Sequence, residues 1–199
     1  MTTAIIFDVA NVIVDWDPIR ALEGVVGDER VAEFLSSEVF WEINARTDAG
    51  MALRDGLVEM DDQAPHLVDT YRVYLERFPL SVSGPIPGTA EVIADLLGAG
   101  VPCFGLSNWA KENFNIARRA NPVIDQLADV IVSGEVGLAK PDPEIFRYAL
   151  DRFGLEAGST LMIDDTQENL DSAGRVGLGT ILFTSADQLR ADLVERRLL

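Results

Sequence analysis

Four short stretches of this chain each set a reactive or charged side chain after apolar residues. They are Ile5-Ile6-Phe7-Asp8, Phe104-Gly105-Leu106-Ser107-Asn108, Leu138-Ala139-Lys140-Pro141 and Leu161-Met162-Ile163-Asp164-Asp165. In that order they offer a carboxylate, a hydroxyl, a cation and an acid pair, which is the set a phosphate-transfer site needs. The Asp8 carboxylate could attack phosphorus and form an aspartyl-phosphate, splitting one hard step into two. Asp164 and Asp165 are adjacent acids that repel each other unless a cation lies near them. Magnesium prefers oxygen ligands, keeps several waters and needs only one or two carboxylates. Asp8 and Asp164 make a sensible pair of direct ligands, with Asp165 on a metal-bound water. The Ser107 hydroxyl and the backbone N–H groups that follow it, at Asn108 and beyond, can hold phosphoryl oxygens. Lys140 would neutralise the phosphoryl group and the acids, an effect that grows as water is excluded.

Each stretch taken alone has a plainer reading. Asp8 reads as a turn or N-cap residue, Ser107-Asn108 as ordinary turn chemistry, Lys140 as an exposed loop lysine, and Asp165 or Thr166 as the cap of a following helix. What weighs against those readings is that all four stretches occur on one chain in one order.

The elements that would position these groups are legible from the pattern. Ala4–Phe7 reads as a buried parallel strand, and Val12-Ile13-Val14 as a hairpin-like flap. Pro18 disfavours helix at Asp17 but suits a helix's first turn. From Ile19 to about Phe78 apolar residues recur at helical spacing, as in Val31, Phe34, Leu35 and in Leu67, Tyr71, Tyr74, Leu75, Phe78, with no convincing strand. Ser83-Gly84-Pro85-Ile86-Pro87-Gly88 then breaks every pattern.

Beyond this break strands and helices alternate. Strands are predicted at Val101–Leu106, Val130–Val132, Thr160–Ile163 and Thr180–Phe183. Helices are predicted around Val92–Leu97, at Asn113–Ala120, at Glu144–Phe153 behind an Asp142 N-cap and Pro143, and at Gln167–Val176. Ser185-Ala186-Asp187-Gln188 reads as a capping box for a last helix. The pattern predicts an α/β fold, a doubly wound parallel sheet with a Rossmann-like core and an inserted α-helical cap. Residues 1–16 and 85–199 would form the core and 17–84 the cap. Ligands of such sheets sit beyond the carboxyl ends of the strands, where Asp8, Ser107 and Asp164 all fall.

Composition sets outer bounds. The 199 residues suffice for one good core with a smaller insert, and 48% hydrophobic with 25% charged residues is ordinary for a globular protein. Thirty-three acids against 16 Lys and Arg give a net charge of −17, a field that repels nucleic acid and anionic membrane surfaces. The one cysteine, Cys103, excludes a disulfide within the chain and reads as a buried, inert thiol. The N-terminus has no basic segment for a leader, no apolar run reaches membrane-spanning length, and a cytoplasmic location is the expectation.

The four stretches resemble those of the haloacid dehalogenase-like hydrolase superfamily, most of whose members are magnesium-dependent phosphatases, and the resemblance runs over nearly the whole chain. It implies Asp8 as nucleophile and metal ligand, the backbone carbonyl of Ala10 and the Asp164 carboxylate as further Mg²⁺ ligands, and Asp165 close behind them. Ser107 and Asn108 would bind the phosphoryl group, Lys140 would stabilise it together with Asp8, and Asn169 would support the loop. A small phosphorylated metabolite is the expected partner, with neither nucleic acid nor membrane, and a monomer or homodimer the expected assembly.

One departure matters. Most phosphatases of the family carry a second Asp two residues after the nucleophile, as general acid and base, but Phe7-Asp8-Val9-Ala10-Asn11-Val12-Ile13 has Ala10 there. The Asp-x-x-Asn-Val-Ile pattern resembles members with Gly at this place that are sugar-phosphate phosphatases. A general acid is worth about 10²–10⁴ in rate, so the expected substrate has a leaving group that needs one least, such as a sugar 1-phosphate. Asp15 and Asp17 are alternative proton sources that read better as structural.

The cap would choose the substrate through Trp41-Glu42-Ile43-Asn44, Arg46 and Asp48-Ala49-Gly50, with Trp16 and Trp109 walling the pocket. His66, the only histidine, reads as a surface or satisfied residue. Two rivals stand beside this reading. A 2-haloacid dehalogenase would also lack the second Asp and show Ser107-Asn108-Trp109, but its fourth stretch usually lacks paired acids. A non-catalytic phospholigand-binding module has Ala10 as its only support.

Overall fold

The computed structural model describes residues 4–199. Met1-Thr2-Thr3, part of the segment read above for a leader, lies outside them. Strand β1 (Ala4–Phe7) is followed by the short β2 (Val14–Trp16) and by five helices: α1 (Ile19–Leu22), α2 (Asp28–Ser36), α3 (Glu38–Asp48), α4 (Leu53–Gln63) and α5 (Val68–Arg77). The chain returns through β3 (Val82–Pro85). It then alternates through α6 (Thr89–Gly98), β4 (Cys103–Ser107), α7 (Phe114–Ala120), β5 (Val130–Val132), α8 (Ser133–Val136) and α9 (Pro143–Phe153). The last elements are β6 (Thr160–Asp164), α10 (Gln167–Val176), β7 (Gly179–Leu182) and α11 (Ala186–Glu195).

Five strands form one parallel sheet in the order β5-β4-β1-β6-β7. All four residues of β1 are buried, which is why it reads as an unbroken apolar run rather than an alternating one. Its side chains divide by period two: Ile5 and Phe7 enter one core, Ala4 and Ile6 the other. The chain winds outward from β1 through β4 to β5, then crosses to the other side of β1 for β6 and β7. That reversal is the place where an open α/β sheet leaves a crevice for ligands. The register puts the key residues there, because Phe7 pairs with Gly105 on one side and with Ile163 on the other. Asp8 and Asp164, one residue further on, therefore leave the sheet side by side, with Ser107 at the end of β4.

The helices α1 to α5 pack round an aromatic cluster. Phe34 and Phe40 have ring centroids 4.2 Å apart, Phe40 and Tyr74 5.6 Å, and Tyr74 and Phe78 5.7 Å. The chain of rings continues to Trp109, just after β4, at 6.1 Å from Phe78. Edge-on and tilted contacts of this kind add to the burial of large rings, and they join the helical segment to the end of the sheet.

Three expectations need correction. Ser83-Gly84-Pro85 does not interrupt regular structure: it is most of β3, which pairs antiparallel with β2 in the register Val14 to Pro85, Asp15 to Gly84 and Trp16 to Val82. Gly and Pro are tolerated because this is a two-stranded ribbon, where Pro can sit on an edge. Of the Val12-Ile13-Val14 flap only Val14 is strand; Ile13 and Val14 both donate to the Val9 carbonyl in a tight turn. The strand predicted from Val101 starts at Cys103, because the Val101 N–H closes α6 on the Leu96 carbonyl. Asp142 caps α9 as its sequence suggests, accepting from the Glu144 N–H at 2.9 Å.

Helix α8 lies hard against the loop after β4, and Gly134 makes this possible. A Cβ there would sit 2.7 Å from both the Lys111 nitrogen and the Trp109 carbonyl oxygen. Both are backbone atoms and neither can swing aside. Gly134→Ala is expected to cost about 1–3 kcal/mol through overpacking, read as a lowered urea midpoint with an unchanged slope. A midpoint equal to that of the parent would show that the loop does not pack this closely.

Candidate active site

The parallel register delivers two buried carboxylates to one spot, and a lysine from the loop before α9 reaches between them. Lys140 Nζ lies 2.8 Å from Asp8 Oδ1 and 2.7 Å from Asp164 Oδ2. Asp164 is 0% exposed, Lys140 4% and Asp8 5%. Charges this deep are held only by partners with good geometry. Asp8 Oδ1 also accepts from the Val9 N–H at 2.6 Å, which orients the carboxylate. Asp164 accepts from the Thr166 N–H at 2.9 Å and from Asn169 Nδ2 at 3.0 and 3.2 Å. Asn169 thus supports this acid from the first turns of α10, as its position suggested.

Lys140 is itself fastened. Asn108 donates from Nδ2 to the Lys140 carbonyl at 2.7 Å and accepts from the Lys140 N–H through Oδ1 at 2.9 Å. The Asn108 side chain is therefore committed to the lysine loop and is not turned to a phosphoryl group, and what it could offer such a group is its backbone. The sequence could not show this, since the two residues are 32 positions apart. Ser107 is fully buried and its Oγ has no hydrogen-bond partner. A buried hydroxyl without a partner is costly, and one at the end of a central strand is a ready contact for a ligand oxygen.

The charge balance favours a metal. Asp8, Asp164 and Asp165 each offer an oxygen within 4.8 Å of the others, and Lys140 is the one cation among them. Burial is the largest influence on Asp8 and pushes its pKa up to about 7. Lys140 opposes the rise, while Asp164 and Asp165 add to it. Burial alone would lower the Lys140 ammonium, yet the two acids outweigh it and hold its pKa above the ordinary value. Asp165 is open to solvent on one side, but the protein around its carboxyl and the Asp164 charge still raise it. Three carboxylates with one cation carry surplus negative charge, and a cluster of oxygen donors is what a hard divalent ion such as Mg²⁺ takes. The residues present fit such an ion.

Beside this cluster lies a cavity of about 110 Å³. Four of the expected specificity residues, Trp16, Trp41, Asn44 and Trp109, line it, and so do Ala10 and Asn108 from the cluster's side. Asp48, the last residue of α3, lines it too. Arg46 does not. Its guanidinium points to solvent and pairs with Glu59, because it lies two residues from both Asn44 and Asp48, off the inward face of α3. Tyr71, Tyr74 and Asn113 line the cavity and were not foreseen. The two tyrosines were read only as part of a helical stripe, and their i, i+3 hydroxyls were the available hint.

Other expectations concern bystanders. Asp15 is held by Arg20 at 2.8 and 3.0 Å and by Ser83, and Asp17 accepts from the Ile19 N–H, so both are structural. His66 is exposed, 3.5 Å from Glu33. Cys103 is buried and its thiol is pushed up to about 12, which suits an inert side chain. No helix among the described residues is long and apolar enough to cross a membrane.

The haloacid dehalogenase-like hydrolase model matches residues 2–177. The chain belongs to this family of hydrolases. Its relatives differ in chemistry. The drimenol cyclase drtB of Aspergillus calidoustus is 23% identical over 97% of this chain, which spans only 36% of that protein's length. The sesquiterpene phosphatase astK of Aspergillus oryzae is 24% identical, with 92% of this chain and 90% of that protein covered. The (S)-2-haloacid dehalogenase 1 of a Pseudomonas species is 28% identical over 71% of this chain and 59% of its own. The fold is shared with a HAD family enzyme of Bacteroides thetaiotaomicron solved in complex with magnesium and inorganic phosphate. The TM-score is 0.71 at 17% identity, covering 93% of this chain and 96% of that one.

The raised acid has a consequence for this hydrolase's stability. A carboxyl at 3.8 in the unfolded chain and about 7 when folded binds more protons in the native state across that window, so stability falls as pH rises from about 4 to 7. In chelator, Asp8 is expected to add a slope approaching about 1.4 kcal/mol per pH unit, and Asp8→Asn is expected to remove that share and leave the share of Asp48, whose carboxyl burial also lifts to about 7. Millimolar Mg²⁺ is expected to restore stability at pH 7–8 by binding the ionised native state. Urea melts at pH 5, 6, 7 and 8, with and without Mg²⁺, make the check, and a flat profile in the parent would contradict the charge surplus.

Proposed function

We propose that this hydrolase cleaves a small phosphomonoester, with Mg²⁺ as cofactor, through an aspartyl-phosphate on Asp8. The observation that carries this reading is the buried acid cluster with one cation too few, beside a buried hydroxyl that has no partner. Such a site attracts a metal and a phosphoryl group together. Asp8, the Ala10 carbonyl and Asp164 would hold Mg²⁺, with Asp165 on a bound water, and the ion would neutralise phosphoryl charge as a Lewis acid.

The chain's own residues supply the rest. Asp8 Oδ2 attacks phosphorus while Oδ1 stays on the Val9 N–H and Lys140. The new O–P bond forms as the bond to the leaving oxygen breaks. Lys140 neutralises charge on Asp8 and on the phosphoryl oxygens, and Ser107 Oγ donates to one of them. Water then attacks the phosphorus, the bond to Asp8 breaks, and inorganic phosphate leaves. The methyl of Ala10 cannot give the leaving oxygen a proton, so the reading favours an oxygen already acidified by its neighbours. The anomeric oxygen of a sugar 1-phosphate is one such class. Residues 17–84 act as a cap over the site, hinged where β2 and β3 carry the chain out and back.

Dehalogenation shares the attacking Asp, and a dehalogenase is among the relatives. It displaces halide from carbon and has no use for the acid surplus, which would repel an anionic haloacid. The phosphatase named among the relatives fits the cluster better.

Phosphate release from a panel of phosphomonoesters, with Mg²⁺ and with chelator, is the test. Mg²⁺-dependent release is expected in the parent, none above background in Asp8→Asn, and a loss of about 10²–10³ in kcat for Lys140→Met. Halide release from a 2-haloacid in excess chelator would overturn the reading in favour of a dehalogenase. Tight phospholigand binding without turnover would overturn it in favour of a binding module.

A further inference from the structure

We propose that the organic half of the substrate is a compact alkylammonium group, and that Asp48 selects it. The inference rests on the phosphomonoester reading, because it names the leaving group of that same site. The cavity shares Ala10 and Asn108 with the nucleophile's side, so a phosphoryl group on Asp8 would point its ester oxygen into it. Its walls are largely aromatic, including Trp16, Trp41, Tyr71, Phe78 and Trp109. Among its lining residues Asp48 is the only one with a formal charge; there is no Lys, Arg or His.

The cavity holds one acid with no cation beside it. Asp48 is held in place by its neighbours: Asn44 Nδ2 donates to Oδ2 at 3.1 Å and the Ala110 N–H donates to the carboxylate. The Asp48 backbone carbonyl accepts from Ser133 Oγ, which ties the end of α3 to the core. The carboxyl is thus fixed at the cavity wall and has no cation. Burial lifts its pKa to about 7, with the Ala110 and Asn44 hydrogen bonds pulling the other way. Asn113 is 7% exposed and its Oδ1, another acceptor, has no partner.

Four kinds of leaving group can be weighed against this wall. An apolar chain would leave the Asp48 charge without a cation and Asn113 Oδ1 without a donor, which is costly. An anionic group would meet the Asp48 charge. A sugar would find donors in Trp109 Nε1 and the Tyr74 hydroxyl, both without partners, but would leave the Asp48 charge without a cation. A small ammonium answers that charge and the rings together: the rings attract it by their quadrupoles, Asp48 neutralises it, and N–H groups can reach Asn113. It also answers the loss of a general acid at Ala10. A positive charge two carbons from the departing oxygen stabilises that oxygen as an anion, so the leaving group brings its own activation. The net charge of −17 further favours approach by a substrate with a cationic end.

The test uses isosteric pairs on the parent enzyme with Mg²⁺: 2-(trimethylammonio)ethyl phosphate against 3,3-dimethylbutyl phosphate, and 2-aminoethyl phosphate against propyl phosphate. The cationic member of each pair is expected to have a kcat/KM at least about tenfold higher, and Asp48→Asn to erase most of that ratio. Product inhibition separates recognition from activation without any variant, because the free trimethylammonio alcohol is expected to inhibit at least about tenfold more tightly than 3,3-dimethylbutanol. Equal handling of the isosteres, equal inhibition by the two alcohols, or a sugar 1-phosphate outperforming all four would overturn the inference and leave the phosphatase reading standing. Phosphate release from no monoester at all would overturn both.

Discussion

A single ammonium group holds the centre of this protein together. Lys140 Nζ sits between Asp8 and Asp164, and all three are buried. Removing the lysine would leave two uncompensated carboxylates in low dielectric, which is far worse than replacing the whole set by apolar residues. Much of the surrounding architecture can be read as what it takes to keep that geometry. The β1–β6 register sets the acids side by side, the Asn108 clasp pins the lysine's backbone, and the Asp142 cap fixes where α9 starts, three residues after the lysine. Each of these is a modest interaction of the usual strength. Together they leave the lysine little freedom.

The price of the arrangement is electrostatic. One cation does not balance three acids; burial raises Asp8 and Asp165, and the neighbouring acids add to the rise. A cluster optimised for stability alone would not retain it. Perturbed acids gathered in a crevice are a mark of function rather than of folding. Stability is recovered elsewhere, in the two cores flanking the sheet and in the ring cluster that runs from Phe34 to Trp109. That cluster joins the helical segment to the very loop that carries Asn108, so packing of the helices and placement of the lysine are coupled through Trp109.

Much of this was legible before any coordinates. Buried parallel strands are continuous apolar runs, so β1, β5 and β6 stand out, and α10 is bounded by its own periodicity. Asp8, Ser107 and Asp164 were legible as a set because each ends or follows a strand, where an α/β sheet gathers its ligands, and Lys140 because the prolines around it mark a fixed loop rather than a helix. What escaped is what depends on partners far along the chain. Asn108 was read for the backbone N–H it offers after Ser107, and only the fold shows its side chain clasping Lys140. Ser83-Gly84-Pro85 looked like a break because strand propensity is weak there, while pairing with β2 overrides propensity. Arg46 was grouped with Asn44 by proximity in sequence, although neighbours two apart on a helix face different ways. Tyr71 and Tyr74 were absorbed into a stripe whose apolar spacing said nothing of what their hydroxyls face.

The same floor could in principle serve carbon or phosphorus chemistry, because a carboxylate nucleophile suits both. What separates the two is the charge to be handled on the way. Displacing halide from carbon makes a neutral ester and releases one anion, so extra carboxylates near the nucleophile only repel the acid substrate. Transfer of a phosphoryl group spreads charge over three oxygens, and its main demand is for cations and donors aimed at them. Here the buried Ser107 hydroxyl is unspent, Lys140 is already in place, and Asp8, Asp164 and Asp165 offer oxygens to a further positive ion. The second acid of the pair, for which a dehalogenase has no use, is therefore the residue on which our proposal of phosphorus chemistry turns.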